Sequence, residues 1–380
     1  MAIKLEARNY RGLRRMEWSP SGVCVLAGPN GSGKTTALSL FEFLRYAYQR
    51  NLLTAVDYSG GMWGLRNFQA PPDEPVVLAL TVGDLRWELT LAVRRGNLDP
   101  NPGERITAGE EVLLDRPMFS ETATWMGSRI SVEGYRLGLQ NLYGSSGPLD
   151  RMGPIVRAVK QFRIYNEYNL RHLRSNGSLQ SADTNLHPHG DNVFSVLRNW
   201  HGNRELRSRF DFVRSTLKAA FPEVCEDIDF EQTSTTVTLR VFPPQSSDGV
   251  PIFFAPNGLL TGLLHLCAVA GTQPGSLVAI DEMENSLHPF AIRQLTAAFR
   301  EWSEEYDVTV CLATHSPVLL DEFKDDPGRV FIMEHGQEML PVPLTELRDK
   351  EWLAQFSLGR LYAHGEFGSQ SPESASSSAG

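Results

Sequence analysis

The chain has 380 residues, 41% of them hydrophobic and 21% charged, a composition that fits one large globular domain or two coupled lobes. Its net charge of −9 excludes an overall positive field that would draw it onto nucleic acid. Local basic clusters do occur, at Arg11, Arg14 and Arg15 and again at Arg171, Arg174, Arg204, Arg207 and Arg209, but solvated faces carry the same pattern. No charged-then-apolar leader opens the chain, and no apolar run approaches the roughly 20 residues that span a bilayer. The cysteines, Cys24, Cys225, Cys267 and Cys311, are far apart, and three lie in apolar stretches. They read as reduced core residues rather than disulfides or zinc ligands, so a soluble, cytoplasmic protein is expected.

In chain order, residues 2–9 and 22–27 have the pattern of short strands, and the second runs into a glycine-rich turn. Residues 36–48 are apolar all round, as in a buried helix. Residues 76–82, 87–93 and 111–114 predict strands of a meander, and from about 150 to 222 the periodicity turns helical before a strand at 235–242. Within that stretch His187 and His189 lack acidic or cysteine partners at ligand spacing, and Asp191 or Asn192 is expected to cap the helix that follows. The last third alternates helix (259–270), buried strand (277–280), helix (290–302) and buried strand (308–313), which predicts a parallel sheet covered by helices. From Glu366 onward a Ser, Gly, Ala and Pro-rich tail is expected to be disordered, and no internal repeat or sustained heptad pattern supports a coiled-coil arm.

Three segments carry chemistry. Gly28-Pro29-Asn30-Gly31-Ser32-Gly33-Lys34-Thr35 fits G-x-x-x-x-G-K-[ST], follows an apolar strand and opens a helix. Small residues there let backbone N–H groups converge on phosphate oxygens at the positive end of the helix dipole. Asn30, Gly31, Ser32, Gly33, Lys34, Thr35 and Thr36 are therefore the candidate nucleotide contacts, with Lys34 on the β- and γ-phosphates and the Thr35 hydroxyl on magnesium. Leu277-Val278-Ala279-Ile280-Asp281-Glu282 is an apolar strand ending in two carboxylates. Asp281 is suited to hold magnesium and Glu282 to polarise an attacking water. Cys311-Leu312-Ala313-Thr314-His315 repeats the design with a histidine at the strand end, placed to meet the γ-phosphate or the water.

Together with Asn9-Tyr10-Arg11-Gly12-Leu13, Asp281-Glu282-Met283-Glu284-Asn285-Ser286-Leu287-His288-Pro289 and Ala313-Thr314-His315-Ser316-Pro317, these segments span nearly the whole chain. The chain resembles the RecF/SMC-like ABC-type ATPases, in particular the small coiled-coil-free prokaryotic group of AAA-family, overcoming-lysogenization-like ATPases. The resemblance implies an α/β P-loop NTPase fold: an ABC-type ATPase head with a mixed sheet and an inserted, mainly helical lobe. Residues 1–145 and 265–365 would form the nucleotide-binding lobe, 146–264 the inserted helical and signature lobe, and 366–380 the disordered tail.

The resemblance further implies ATP and Mg2+ as ligands and a homodimer in which each ATP lies between one copy's phosphate loop and the other's signature. The signature position falls at Ala255-Pro256-Asn257-Gly258, with Gly258 twenty-three residues before Asp281. Relatives commonly have serine where Pro256 stands, so the contact in trans would rest on the Gly258 backbone and the helix N-terminus. Gln69 corresponds to the glutamine that reaches toward magnesium, with an ordinary surface glutamine as the alternative. Arg11 belongs to a loop that touches nucleotide in relatives, with simple solvent exposure as its alternative. About fifty residues lie between His315 and the tail, too few for a Toprim nuclease domain, so cleavage by the isolated chain is not expected. Two purposes fit: an ATP-driven dimer acting on DNA or on a separately encoded effector, in repair or anti-phage defence, or a slow-turnover ATP-bound scaffold restraining a toxin or nuclease.

Overall fold

The structure, a computed structural model, describes residues 2–71, 73–94, 97–132, 134–144, 151–334 and 339–368. Its centre is a six-stranded sheet in the order Arg163–Tyr165, Leu277–Asp281, Thr309–Thr314, Val23–Ala27, Val330–Ile332 and Val342–Pro343. The first five strands are parallel and the last is antiparallel to its neighbour. The apolar runs that predict buried strands are explained by this position, since a parallel sheet flanked by helices and a second sheet is covered on both faces.

Side chains alternate across that sheet and divide the interior in two. Val23, Val25, Val278, Ile280, Val310 and Leu312 face a core shared with helices Val193–Gly202, Arg207–Ala220, Asn257–Ala270 and Pro289–Tyr306. Cys24, Leu26, Leu277, Ala279, Cys311 and Ala313 face the other core, built with helix Lys34–Gln49 and an eight-stranded antiparallel sheet. That second sheet runs in the order Leu13–Trp18, Ile3–Tyr10, Val76–Val82, Leu85–Arg94, Asn97–Ala108, Glu111–Arg116, Thr122–Trp125 and Ser128–Ser131. The four cysteines are free and buried.

Several strands were not visible in the sequence pattern, among them Leu13–Trp18 and Asn97–Ala108. Leu13–Trp18 is short and charged, yet buries Leu13, Met16 and Trp18. Asn97–Ala108 contains Pro100 and Pro102, which argue against a strand; pairing to Glu111–Arg116 begins only at Glu104, so the prolines lie where the strand has a partner on one side.

The segment expected as a mainly helical lobe is more mixed. Its described part holds helices Gly153–Gln161, Leu170–Asn176, Val193–Gly202 and Arg207–Ala220, but also the edge strand of the parallel sheet. A small antiparallel sheet adds Ser178–Leu179, Asp227–Gln232, Thr236–Phe242 and Val250–Pro251. Asn192 is the N-cap residue of Val193–Gly202 but makes no side-chain cap bond. Its amide instead closes the preceding loop, accepting from the His187 N–H at 2.9 Å and donating to the Asn185 carbonyl at 3.0 Å. His187 sits 3.3 Å from both Asp183 and Asp191, exposed acidic neighbours that the sequence reading did not give it.

Glu366, Phe367 and Gly368 are not tail. Phe367 is 2% exposed and packs on Tyr362 with ring centroids 6.0 Å apart, because one aromatic ring in a polar stretch is enough to dock it. Residues 369–380 of the expected tail lie outside the described residues. Among the described residues no helix is long and apolar enough to cross a membrane.

Candidate nucleotide-binding site

Val23–Ala27 ends one residue before the glycine loop, and helix Lys34–Gln49 starts at the loop's end. Gly33 caps that helix at φ 101°, a left-handed conformation that a residue with a Cβ adopts only under strain. No acidic side chain occupies the first turn of the helix. The Lys34 ammonium folds back on the loop, donating to the carbonyls of Gly28 at 2.7 Å and Pro29 at 3.0 Å. Burial lowers its pKa, while the carboxylates of Asp281, Glu284 and Glu282 act in the opposite sense. The Ser32 hydroxyl is buried and has no hydrogen-bond partner among the described residues, a group the loop presents to an external acceptor or donor.

The parallel register brings the acidic strand end to the same place. Asp281 pairs with Ala313, and Thr314 pairs with Ala27, so three strand ends distant in sequence stand side by side. Thr35 Oγ1 donates to Asp281 Oδ2 at 2.7 Å across this line. Burial raises the Asp281 pKa, with the Thr35 hydrogen bond opposing it and Glu282 adding to it. Glu282 then turns out of the strand at φ 51°, a left-handed non-glycine conformation, and its N–H is held by the Ala313 carbonyl at 2.9 Å. Such strain costs about 1–3 kcal/mol and persists only where the surroundings impose it. Asn285 Nδ2 donates to Glu282 Oε2 at 2.6 Å and fixes the carboxylate.

A cavity of about 1250 Å³ opens over these groups. Asn30, Gly31, Ser32, Gly33, Lys34, Thr35, Thr36, Gln69, Asp281 and Glu282 all line it, whereas Arg11, Gly258 and His315 do not. The Arg11 guanidinium turns toward the helix behind the loop, with Nη1 3.3 Å from Ser39 Oγ and the group stacked over the Tyr10 ring. The half-exposed His315 ring lies 3.8 Å from Glu284 Oε1.

Glu284 has a role that sequence reasoning missed. Its side chain is 11% exposed. One carboxylate oxygen accepts from Thr314 Oγ1 at 2.6 Å and from the His315 N–H at 3.2 Å, so it fastens the histidine corner to the acidic turn. Its other oxygen is buried with no partner among the described residues. The linear signal was its place in the Asp281–Pro289 motif, within which the sequence reading gave Glu284 no role. Arg8, Arg14, Arg15 and Phe68 also line the cavity, with Phe68 84% exposed at its wall. Arg8 and Arg15 are cross-strand neighbours, a like-charged pairing that hairpin register alone reveals.

Residues 23–321 match the family model described as "AAA domain, putative AbiEii toxin, Type IV TA system". The chain belongs to this family. Its fold is shared with solved SMC heads: one bound to the C-terminal winged-helix domain of ScpA gives a TM-score of 0.51 at 11% identity, covering 91% of this chain and 99% of that one. The head from Pyrococcus furiosus, with an extended coiled coil and bound to the C-terminal domain of ScpA, gives 0.49 at 10% identity, covering 91% and 97%. The SMC head from Thermotoga maritima gives 0.45 at 13% identity, covering 90% and 98%. No curated protein sequence matches. The chain is thus an AAA-domain family member with the fold of an SMC head.

In this AAA-family chain the residues expected as the signature, 255–258, do not line the cavity. Pro256 precedes helix Asn257–Ala270 and provides no side-chain cap. The loop before it is held by Arg174, whose guanidinium donates to the carbonyls of Phe253 and Ala255 and to Asn257 Oδ1 at 2.8 Å. Gly258 packs against the acidic turn, where a Cβ would lie 2.6 Å from the Ser286 carbonyl oxygen.

Proposed function

We propose that this chain binds ATP with Mg2+ in the cavity above the glycine loop and hydrolyses it, and that two copies close around two nucleotides. The observation carrying this reading is the 2.7 Å bond between the Thr35 hydroxyl and the Asp281 carboxylate. It puts two hard oxygen donors at the mouth of a phosphate loop, the donor set that suits magnesium. Gln69 lines the same cavity as a further oxygen donor. The ion, when bound, would neutralise charge on the β- and γ-phosphates.

The remaining work falls to this chain's own groups. The Lys34 ammonium, released from the Gly28 and Pro29 carbonyls, is drawn to the phosphates, and the loop N–H groups cradle them. Glu282, braced by Asn285 and by its left-handed backbone, orients the attacking water and accepts its proton. Thr314 and His315, fastened by Glu284, form the third strand end; His315 reaches the γ-phosphate region once closure shifts that corner. The Gly258 end of the second copy's signature helix would complete the site, with N–H groups aimed at the γ-phosphate.

The output would be a change between open and closed dimers. The family description names a putative toxin of a type IV toxin–antitoxin system, and a separately encoded partner in such a system is the load we favour. The uncapped Pro256 supports a second reading, a slowly turning scaffold that holds ATP and restrains that effector. Steady-state phosphate release with and without duplex DNA and with co-purified partner separates these. Stimulation by DNA supports action on DNA, and near-zero turnover with tight ATP binding supports the scaffold. Absence of ATP binding by the wild type at millimolar nucleotide would defeat the whole reading.

A further inference from the structure

His265 lies midway along the signature helix Asn257–Ala270 and is 2% exposed. Its Nε2 is 3.1 Å from the Met283 carbonyl, and its Nδ1 is 3.1 Å from the Tyr168 hydroxyl. A carbonyl only accepts, so Nε2 carries the proton; the neutral ring then accepts at Nδ1 from Tyr168. Both nitrogens are satisfied in one tautomer. Burial lowers the His265 pKa to about 4, which keeps that tautomer neutral.

Met283 stands between Glu282 and Glu284. Its peptide therefore connects the water-orienting carboxylate to the one that fastens Thr314 and His315. Gly258 and His265 are seven residues apart, two helical turns, and so share one helix face. That face lies along the acidic turn, with Gly258 against the Ser286 carbonyl and His265 bonded to the Met283 carbonyl. A shift of the helix along its axis thus pulls on the backbone that carries both carboxylates.

We propose that His265 is a positioning residue: its bond to Met283 ties the signature helix to the Glu282–Glu284 turn, so that engagement of the helix end is transmitted to the chain's own hydrolytic carboxylate. The kinetic consequence rests on the hydrolytic, dimeric reading above; the positional one does not. The signature end serves the second copy's nucleotide in that reading, so the bond would couple the two sites of the dimer.

Three variants test it. His265→Gln places an amide N–H near the Nε2 position and keeps the bond to Met283, His265→Asn reaches toward Tyr168 but falls short of Met283, and His265→Leu fills the space without either bond. The expected result is kcat lowered about 10- to 100-fold in the Asn and Leu variants with KM for ATP within about 3-fold, and restored to within about 3-fold of wild type by Gln. In parallel, amide hydrogen exchange at residues 282–287 should quicken in Asn and Leu, while residues 28–36 stay as in wild type. If the Leu variant does not fold, the Gln against Asn contrast decides. Equal kcat in Gln and Asn, or unchanged exchange at 282–287 in Asn, overturns the proposal. A wild type without turnover defeats the hydrolytic reading, and the exchange contrast still decides whether His265 positions the turn.

Discussion

The two ends of the machinery differ in how complete they are within one chain. At the phosphate end, three parallel strand ends bring Lys34, Thr35, Asp281 and Glu282 into one cavity, and Thr35 and Asp281 are already bonded at 2.7 Å. At the signature end, Pro256 leaves the helix without a side-chain cap, Arg174 holds only loop carbonyls and Asn257, and Gly258 rests on the chain's own Ser286. The first site is preorganised by a sheet that cannot slide without breaking its register. The second is an exposed helix end that acquires a purpose only when something docks on it. Under the proposed function, this contrast would locate nucleotide binding in the single chain and place turnover under the control of assembly.

Four experiments break or sharpen that contrast. The largest effect is expected from Glu282→Gln, which should lower kcat about 10³-fold while leaving ATP affinity near wild type. The variant should also elute as a dimer with ATP in size-exclusion chromatography, and a monomer there would contradict the two-copy sandwich. Lys34→Ala removes the buried cation and should weaken nucleotide binding about 100-fold, measured by titration calorimetry. Unchanged affinity would show that the loop N–H groups suffice.

A third effect concerns pH and the anchor of the signature helix. His265 has its pKa depressed to about 4 in the folded chain, below the ordinary 6.5 of the unfolded one. Above pH 6.5 neither state holds the proton; as pH falls toward 4 the unfolded state takes it first, so stability is lost in that window. Between pH 7 and pH 5 this group should cost about 2 kcal/mol, read as the extra loss in wild type over His265→Gln in urea unfolding. Equal losses in the two proteins would mean that the ring is not buried and neutral as described. The smallest effect is expected from Pro256→Ser, which supplies the missing cap. It should add about 1 kcal/mol of stability and raise turnover by several-fold at most, followed by thermal unfolding and phosphate release.

Much of the phosphate end was legible in the sequence because local rules specify it. An apolar run, a glycine loop and a lysine announce a strand, a turn and a helix start without reference to anything distant. The acidic strand end is equally local. Glu284 was harder to read, since a glutamate in a polar turn looks exposed until Thr314 and His315, thirty residues on, close over it. Arg11, read from the resemblance as either a nucleotide contact or a solvent-exposed residue, turns its side chain to Ser39.

The linear chain therefore gave the candidate chemical groups, a parallel sheet covered by helices and the family, each written in contiguous residues or in hydrophobic period. Folding settled which of those groups meet. The alignment of Ala27, Asp281 and Thr314, the two cores on opposite faces of one sheet, and the His265 bond to Met283 all depend on register and packing between segments far apart in sequence. No local propensity encodes a distance between such segments; it is set by how strands pair and how helices cover them.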